Sequence, residues 1–218
     1  MNKLPDDFHN FKEDNDMSWI KTIPYEKSHG KLRNLYDRVK GPNNNIDNIM
    51  MAHSLRPHSM EGHMAIYKYV LHHTNNKIPK WFLETLGVWV SHMNNCNYCV
   101  EHHFGGLKRL LEDNTKAEAI RAAIEQNDIS LVPLNEKQKL AMRYAQLLNN
   151  APSELAEKDI IALRDIGFDD GEILEINQVC AYFAYANRTV LGLGVSTDGD
   201  IIGLSPNNSE DPEDWSHS

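Results

Sequence analysis

The sequence predicts an all-α protein, and three observations carry that prediction. Apolar residues recur at i, i+3, i+4 and i+7 in stretch after stretch, the spacing of one face of a helix. Asn, Gly and Pro punctuate those stretches where helices would end or begin. No convincing alternation of apolar and polar residues, the mark of a half-buried strand, occurs anywhere in the 218 residues. A chain of this length can bury a substantial core as one domain, expected over residues 21–204, between a loosely ordered arm at 1–20 and an acidic tail at 205–218.

The arm is polar and acidic, with Phe8, Phe11, Trp19 and Ile20 as its candidate docking residues. Pro24 opens the domain. Leu32, Leu35, Tyr36 and Val39 mark a first helix within 25–39, which Gly41-Pro42 ends. Residues 43–48 read as a loop, followed by the short apolar patch Ile49-Met50-Met51-Ala52. Met60, Met64, Tyr67, Val70 and Leu71 mark a second helix reaching His73. After the connector at 74–77, Pro79 suits the first turn of a central helix.

Helical spacing then runs through Phe82, Leu86, Val90 and Met93, with Trp81, Leu83, Val88 and Trp89 on the other faces, so this helix is expected to be buried nearly all round. Glu84 lies inside it, and burial is expected to raise its pKa toward neutrality, which suits it to pass a proton. Asn94-Asn95 breaks the pattern, and a second helix is expected to start at or just before Cys96 and to continue through Leu107, Leu110 and Leu111. Cys96 and Cys99 then share its first turn, where unpaired N–H groups and a partial positive charge favour a thiolate. Being i, i+3, they lie on one face and within reach of a disulfide. His103 is i+4 from Cys99, placed to take the thiol proton or to pair with the thiolate.

Downstream, Asn114-Thr115 is expected to cap a shorter helix over 117–124, and 128–133 reads as a loop. Leu140, Met142, Tyr144, Ala145 and Leu148 mark a helix entered near Asn135 and left at Asn149-Asn150. Ser153 is the expected cap of the next, which carries Leu155, Ile160, Ile161 and Leu163 and stops at Gly167. The last helix, from about Asp170 to Leu193, is apolar enough to be a core or interface element. The closing segment, acidic and nearly free of aliphatic residues, is expected to be disordered or docked on a partner.

The spacing Glu84, eleven residues, Cys96-x-x-Cys99, three residues, His103 resembles the active-site signature of the alkylhydroperoxidase AhpD group within the carboxymuconolactone decarboxylase superfamily. The likeness is tightest over residues 79–106, and Leu-Arg-Asp-Ile-Gly167 and Ala-Asn-Arg-Thr189 are similar to its uncharacterised peroxidase-related branch. The resemblance implies an AhpD-like helical bundle that is oligomeric. It implies Cys99 as the thiol that attacks a hydroperoxide, Cys96 as the resolving thiol, Glu84 with His103 as a proton relay, and an external thiol reductant. One position departs from the pattern, since Tyr98 stands where the best-known members carry a histidine.

Two other function classes fit the same residues. His92, Cys96, Cys99 and His102 or His103 have the chemistry of a zinc site, although so many ligands within two helical turns crowd a tetrahedron. The pair also suits a disulfide reductase or redox sensor serving a separate peroxidase, while the lactone decarboxylase chemistry of the superfamily's other branch needs no cysteine pair. His92, Tyr98 and His102 are read as bystanders or supporting groups, His63, His72 and His73 as surface or packing residues, and Cys180 as a buried small hydrophobe. No cofactor is expected, because no strand precedes Gly192-Leu-Gly194 to make a dinucleotide loop. A formal charge of −9 without a basic cluster speaks against nucleic acid and anionic membranes. The start turns acidic at once and carries no signal peptide, so the cytoplasm is the expected compartment.

Overall fold

The structure, a computed structural model, describes residues 17–206 and 214–217. Among these residues there are nine α-helices and no strand; a lone β-bridge pairs Pro206 with His217. None of the helices is long and apolar enough to cross a membrane. The helices are α1 (Gly30–Val39), α2 (Asn48–Ala52), α3 (Pro57–Tyr67), α4 (Lys80–Met93), α5 (Asn97–Leu111), α6 (Asn114–Glu125), α7 (Glu136–Asn150), α8 (Glu157–Asp165) and α9 (Asp170–Leu193). The patch at 49–52 is therefore helical, and α3 continues into a π-helical turn, Lys68–His72.

α4 and α5 form a helical hairpin at the centre, with α9 and α7 packed against α4. Every α4 residue from Phe82 to Ser91 is buried, Glu84 included. Two glycines let the central helices approach. A Cβ at Gly87 would lie 2.2 Å from the Phe183 ring on α9, and one at Gly106 would lie 3.1 Å from the Glu84 carboxylate. Trp89 fastens α4 to α7 by donating its indole N–H to the Met142 carbonyl at 3.2 Å.

Helix ends follow side-chain chemistry. Asn135 and Asp169 cap α7 and α9 with reciprocal bonds to Gln138 and Glu172, satisfying N–H groups that have no partner within the helix. Two expected caps differ. Asp113, not Asn114, accepts from the Lys116 N–H, and α8 begins after Ala156, whose N–H donates to Asp159, leaving Ser153 in a 3-10 turn. An acid in the right register outcompetes a nearby amide or hydroxyl because it also complements the helix dipole.

Both ends of the described chain fold back. Phe8 and Phe11 lie outside the described residues; Met17 and Ser18 are buried, and the Trp19 N–H bonds the Leu193 carbonyl at 2.8 Å. The arm is thus held here by backbone bonds, with the Trp19 ring 79% exposed. The tail departs from expectation over 214–217. Trp215 and His217 are buried, the Arg38 guanidinium sits 3.8 Å over the Trp215 ring, Lys68 Nζ donates to the Asp214 carbonyl at 2.5 Å, and His217 Nδ1 lies 2.8 Å from the Val39 carbonyl. An acidic composition hid two aromatic anchors that this chain's own core accommodates.

Candidate active site

The site begins where α4 ends. Asn95 takes a left-handed φ of 55°; its N–H bonds the His92 carbonyl, and the Cys96 N–H bonds the Ser91 carbonyl, each at 2.9 Å. This double closure requires a positive φ, which Asn tolerates better than other residues with a side chain. Cys96 is at once the N-cap of α5, and Cys99 lies in the first turn. Both thiols are free and buried, at 0% and 3% exposure.

The two thiols act on each other's protonation. Donation from the Cys99 S–H draws the Cys96 thiol down from its ordinary range, whereas Cys99, which keeps that proton and is buried, is pushed well above it. The charge of the reduced pair therefore belongs on Cys96, the sulfur nearest the positive end of α5. The Asn187 side chain, from α9, favours the anion on either sulfur. Asn187 is fixed in turn: its Nδ2 donates to Ser91 Oγ at 3.0 Å, and its Oδ1 accepts from Asn94 Nδ2 at 2.9 Å.

Glu84 and His103 meet across the α4–α5 hairpin, Oε2 to Nδ1 at 2.6 Å, with Glu84 only 1% exposed. With Nδ1 facing the carboxylate, Nε2 is the nitrogen left to exchange protons. His103 and Cys99 line one cavity of about 30 Å³, together with His63, Tyr67, Tyr182 and, from the C-terminal segment, Leu204. Cys96 does not line it. Such a volume holds a water-sized group or two. Burial, helped by the nearby His53, His103 and His217, pushes the His63 imidazole down to about 3, so it stays neutral.

Several histidines and Tyr98 have roles the sequence reading missed. His63 and His72 are buried, the packing alternative of the two expected, and His72 Nε2 lies 3.6 Å from Glu84 Oε1. His92 bonds Asn127 at 3.2 Å, away from the thiols. Tyr98 donates to Asp200 Oδ2 at 2.7 Å and accepts from the Ile49 N–H at 3.2 Å, while His102 Nε2 lies 3.1 Å from the same Asp200 oxygen. Tyr98 and His102 thereby tie α5 to α2 and to the segment after α9. Asn187 lies in the quoted Ala-Asn-Arg-Thr189, the one sequence signal that could have found it; nothing local marked His72 or Asp200.

With His102 turned to Asp200 and His103 to Glu84, no group of three or more His, Cys, Asp or Glu among the described residues is placed to hold a metal ion. Cys180 does not line this cavity, and burial pushes its thiol up to about 12.

No protein-family model and no curated protein matches the sequence. Solved structures do match the fold. An uncharacterised peroxidase-related protein with the alkylhydroperoxidase AhpD core, from Ralstonia eutropha JMP134, superposes with a TM-score of 0.71 at 20% identity, over 84% of this chain and 93% of that one. An uncharacterised peroxidase-related protein from Silicibacter sp. TM1040 gives 0.66 at 21% identity, over 84% and 90%. A protein of unknown function from Agrobacterium tumefaciens gives 0.54 at 18% identity, over 66% and 93%. This chain therefore has the all-α AhpD-like fold, which by itself does not assign the chemistry.

Proposed function

We propose that the protein is an AhpD-like thiol oxidoreductase that reduces hydroperoxides with Cys96 and Cys99, using Glu84 and His103 to move protons. The observation that carries this reading is the 2.6 Å contact between Glu84 and His103, with His103 and Cys99 lining a common cavity. A carboxylate that orients an imidazole next to a reachable sulfur is the arrangement that cysteine chemistry needs. Access selects Cys99 as the attacking sulfur, although the resting charge lies on Cys96. The proton passes from Cys99 to the neighbouring Cys96 sulfur.

The cycle then balances. The Cys99 thiolate attacks the distal oxygen, the O–O bond breaks, and the alkoxide leaves with the proton of the His103 imidazolium, forming the alcohol and a Cys99 sulfenic acid. His103 next takes the Cys96 proton, the Cys96 thiolate attacks the Cys99 sulfur, and the displaced hydroxide receives that proton as water. Two electrons have passed from the sulfurs to the peroxide, and an external thiol must return them. Burial of both sulfurs favours a slender dithiol over a globular thiol protein, which also weighs against a main role as a protein disulfide reductase. Peroxide consumption with dithiothreitol as donor tests the reading. The wild type should turn over and Cys99→Ser should not; equal rates for the two would overturn it.

A further inference from the structure

We propose that His72 is a positioning residue for the Glu84–His103 pair: its Nε2–H donates to the second oxygen of Glu84 and holds that carboxylate ionised and in the orientation that grips His103. The inference rests on the reading that Glu84 and His103 handle protons. Its geometric basis is separate from the cysteines.

Glu84 presents two oxygens inside the core. His103 occupies Oε2, and Oε1 faces His72 Nε2 at 3.6 Å, slightly beyond a hydrogen bond. Both side chains are nearly sealed, His72 at 4% exposure and Glu84 at 1%. Among the described residues His72 Nε2 is a buried polar atom with no hydrogen-bond partner, and it faces this carboxylate. Such an atom is costly unless satisfied, and a closure of about half an ångström reaches bonding distance. The electrostatics choose the tautomer, because a lone pair on Nε2 would oppose the carboxylate oxygen whereas an N–H attracts it.

The backbone delivers His72 by a special device. Where α3 would end, the chain widens into the π-helical turn Lys68–His72, a distortion frequently found at functional sites. The edges of the Tyr67 ring contact both imidazoles, with centroids 4.9 Å from His72 and 5.9 Å from His103, each at 81°. The groups in contact with His72 are Glu84 and Tyr67, and the cationic or potentially cationic His103, Lys80, His217 and Arg109 act on it through their charge. Burial first, then the charges of His103, Lys80, His217 and Arg109, hold the His72 imidazole neutral. A neutral donor stabilises the Glu84 anion without contributing a proton that would compete with the one His103 carries.

Histidine-selective ¹⁵N NMR on the full-length reduced protein tests this without peroxide, so loss of the peroxidase reading would leave the result interpretable. In the wild type, His72 should show the Nε2–H tautomer and remain neutral through the titration of the Glu84–His103 pair. In His72→Leu the anion loses a donor, so the pair should take up its proton at a roughly ten-fold lower proton concentration, the scale of a hydrogen bond to a charged group. His72→Gln, whose amide nitrogen can replace Nε2, should return the titration to within about two-fold of wild type. An unchanged titration in His72→Leu, or one in which Gln behaves like Leu, overturns the proposal. If His72→Leu does not fold, a wild-type spectrum with an unprotonated His72 Nε2 overturns it by itself.

Discussion

At the scale of single residues, the thiol pair separates charge from access. Cys96 carries the favoured anion and Cys99 the open side, so the two roles are testable apart. Cys99→Ser should abolish turnover, while Cys96→Ser should still form one dimedone-trappable sulfenic acid per chain; the opposite pattern would reverse the roles. His103→Ala should slow peroxide consumption near neutral pH by roughly ten-fold or more, with Glu84→Gln acting in the same direction. A rate that neither change moves would remove the relay. Tyr98→Phe is expected to act on stability instead, because it leaves a buried Asp200 oxygen short of a donor, at about 1–3 kcal/mol by denaturant unfolding. An unchanged unfolding midpoint would contradict that role. The Glu84–His103 pairing was legible through the family resemblance, which implied one proton relay from both; spacing alone offered a buried Glu84 and a His103 one turn beyond Cys99. His72, Asp200 and Asn187 were not, since they arrive from segments whose approach only the tertiary packing determines.

At the scale of elements, the sequence gives helix existence more readily than helix ends. Hydrophobic period placed α4, α5, α7 and α9 well, and the Asn94-Asn95 break was readable because few other residues accept the left-handed turn that starts α5 at Cys96. The π-helical turn was not readable. It conserves the apolar spacing through Tyr67 and Leu71 while rotating His72 inward. The close approaches at Gly87 and Gly106 were equally silent, since a missing side chain leaves no period. They yield separable expectations. Gly87→Ala forces a methyl group into Phe183 and should cost stability by about 1–3 kcal/mol, read by denaturant unfolding. Gly106→Ala presses instead on the Glu84 carboxylate, so it should depress peroxide turnover more than it lowers the melting temperature. Equal and purely structural effects from the two would contradict the assignment of Gly106 to the site.

At the scale of the molecule, the buried histidines make stability depend on pH. Burial lowers His63 to about 3 and also lowers His53, His72 and His217 from 6.5. The unfolded chain therefore binds protons that the native one refuses. Stability is full above about pH 6.5 and should fall as pH drops toward 3, by up to about 1.4 kcal/mol per pH unit for each such group. Asp47, raised by burial, works the other way. Urea midpoints should hold from pH 7.5 to about 6.5 and fall from there to pH 4.5; a flat series would contradict the burial. Ile66 and Tyr69 by the π-turn, with Tyr185 and Leu191 on the outer side of α9, leave large apolar side chains exposed, and a homo-oligomer is the expected state in light scattering at micromolar concentration. A monomer there would contradict it. The central claim concerns where two electrons come from, and mass mapping of the reduced protein after one equivalent of hydroperoxide tests it most directly. The account predicts loss of two thiols per chain, a Cys96–Cys99 disulfide and an unmodified Cys180; three intact thiols, or a disulfide that includes Cys180, would contradict it.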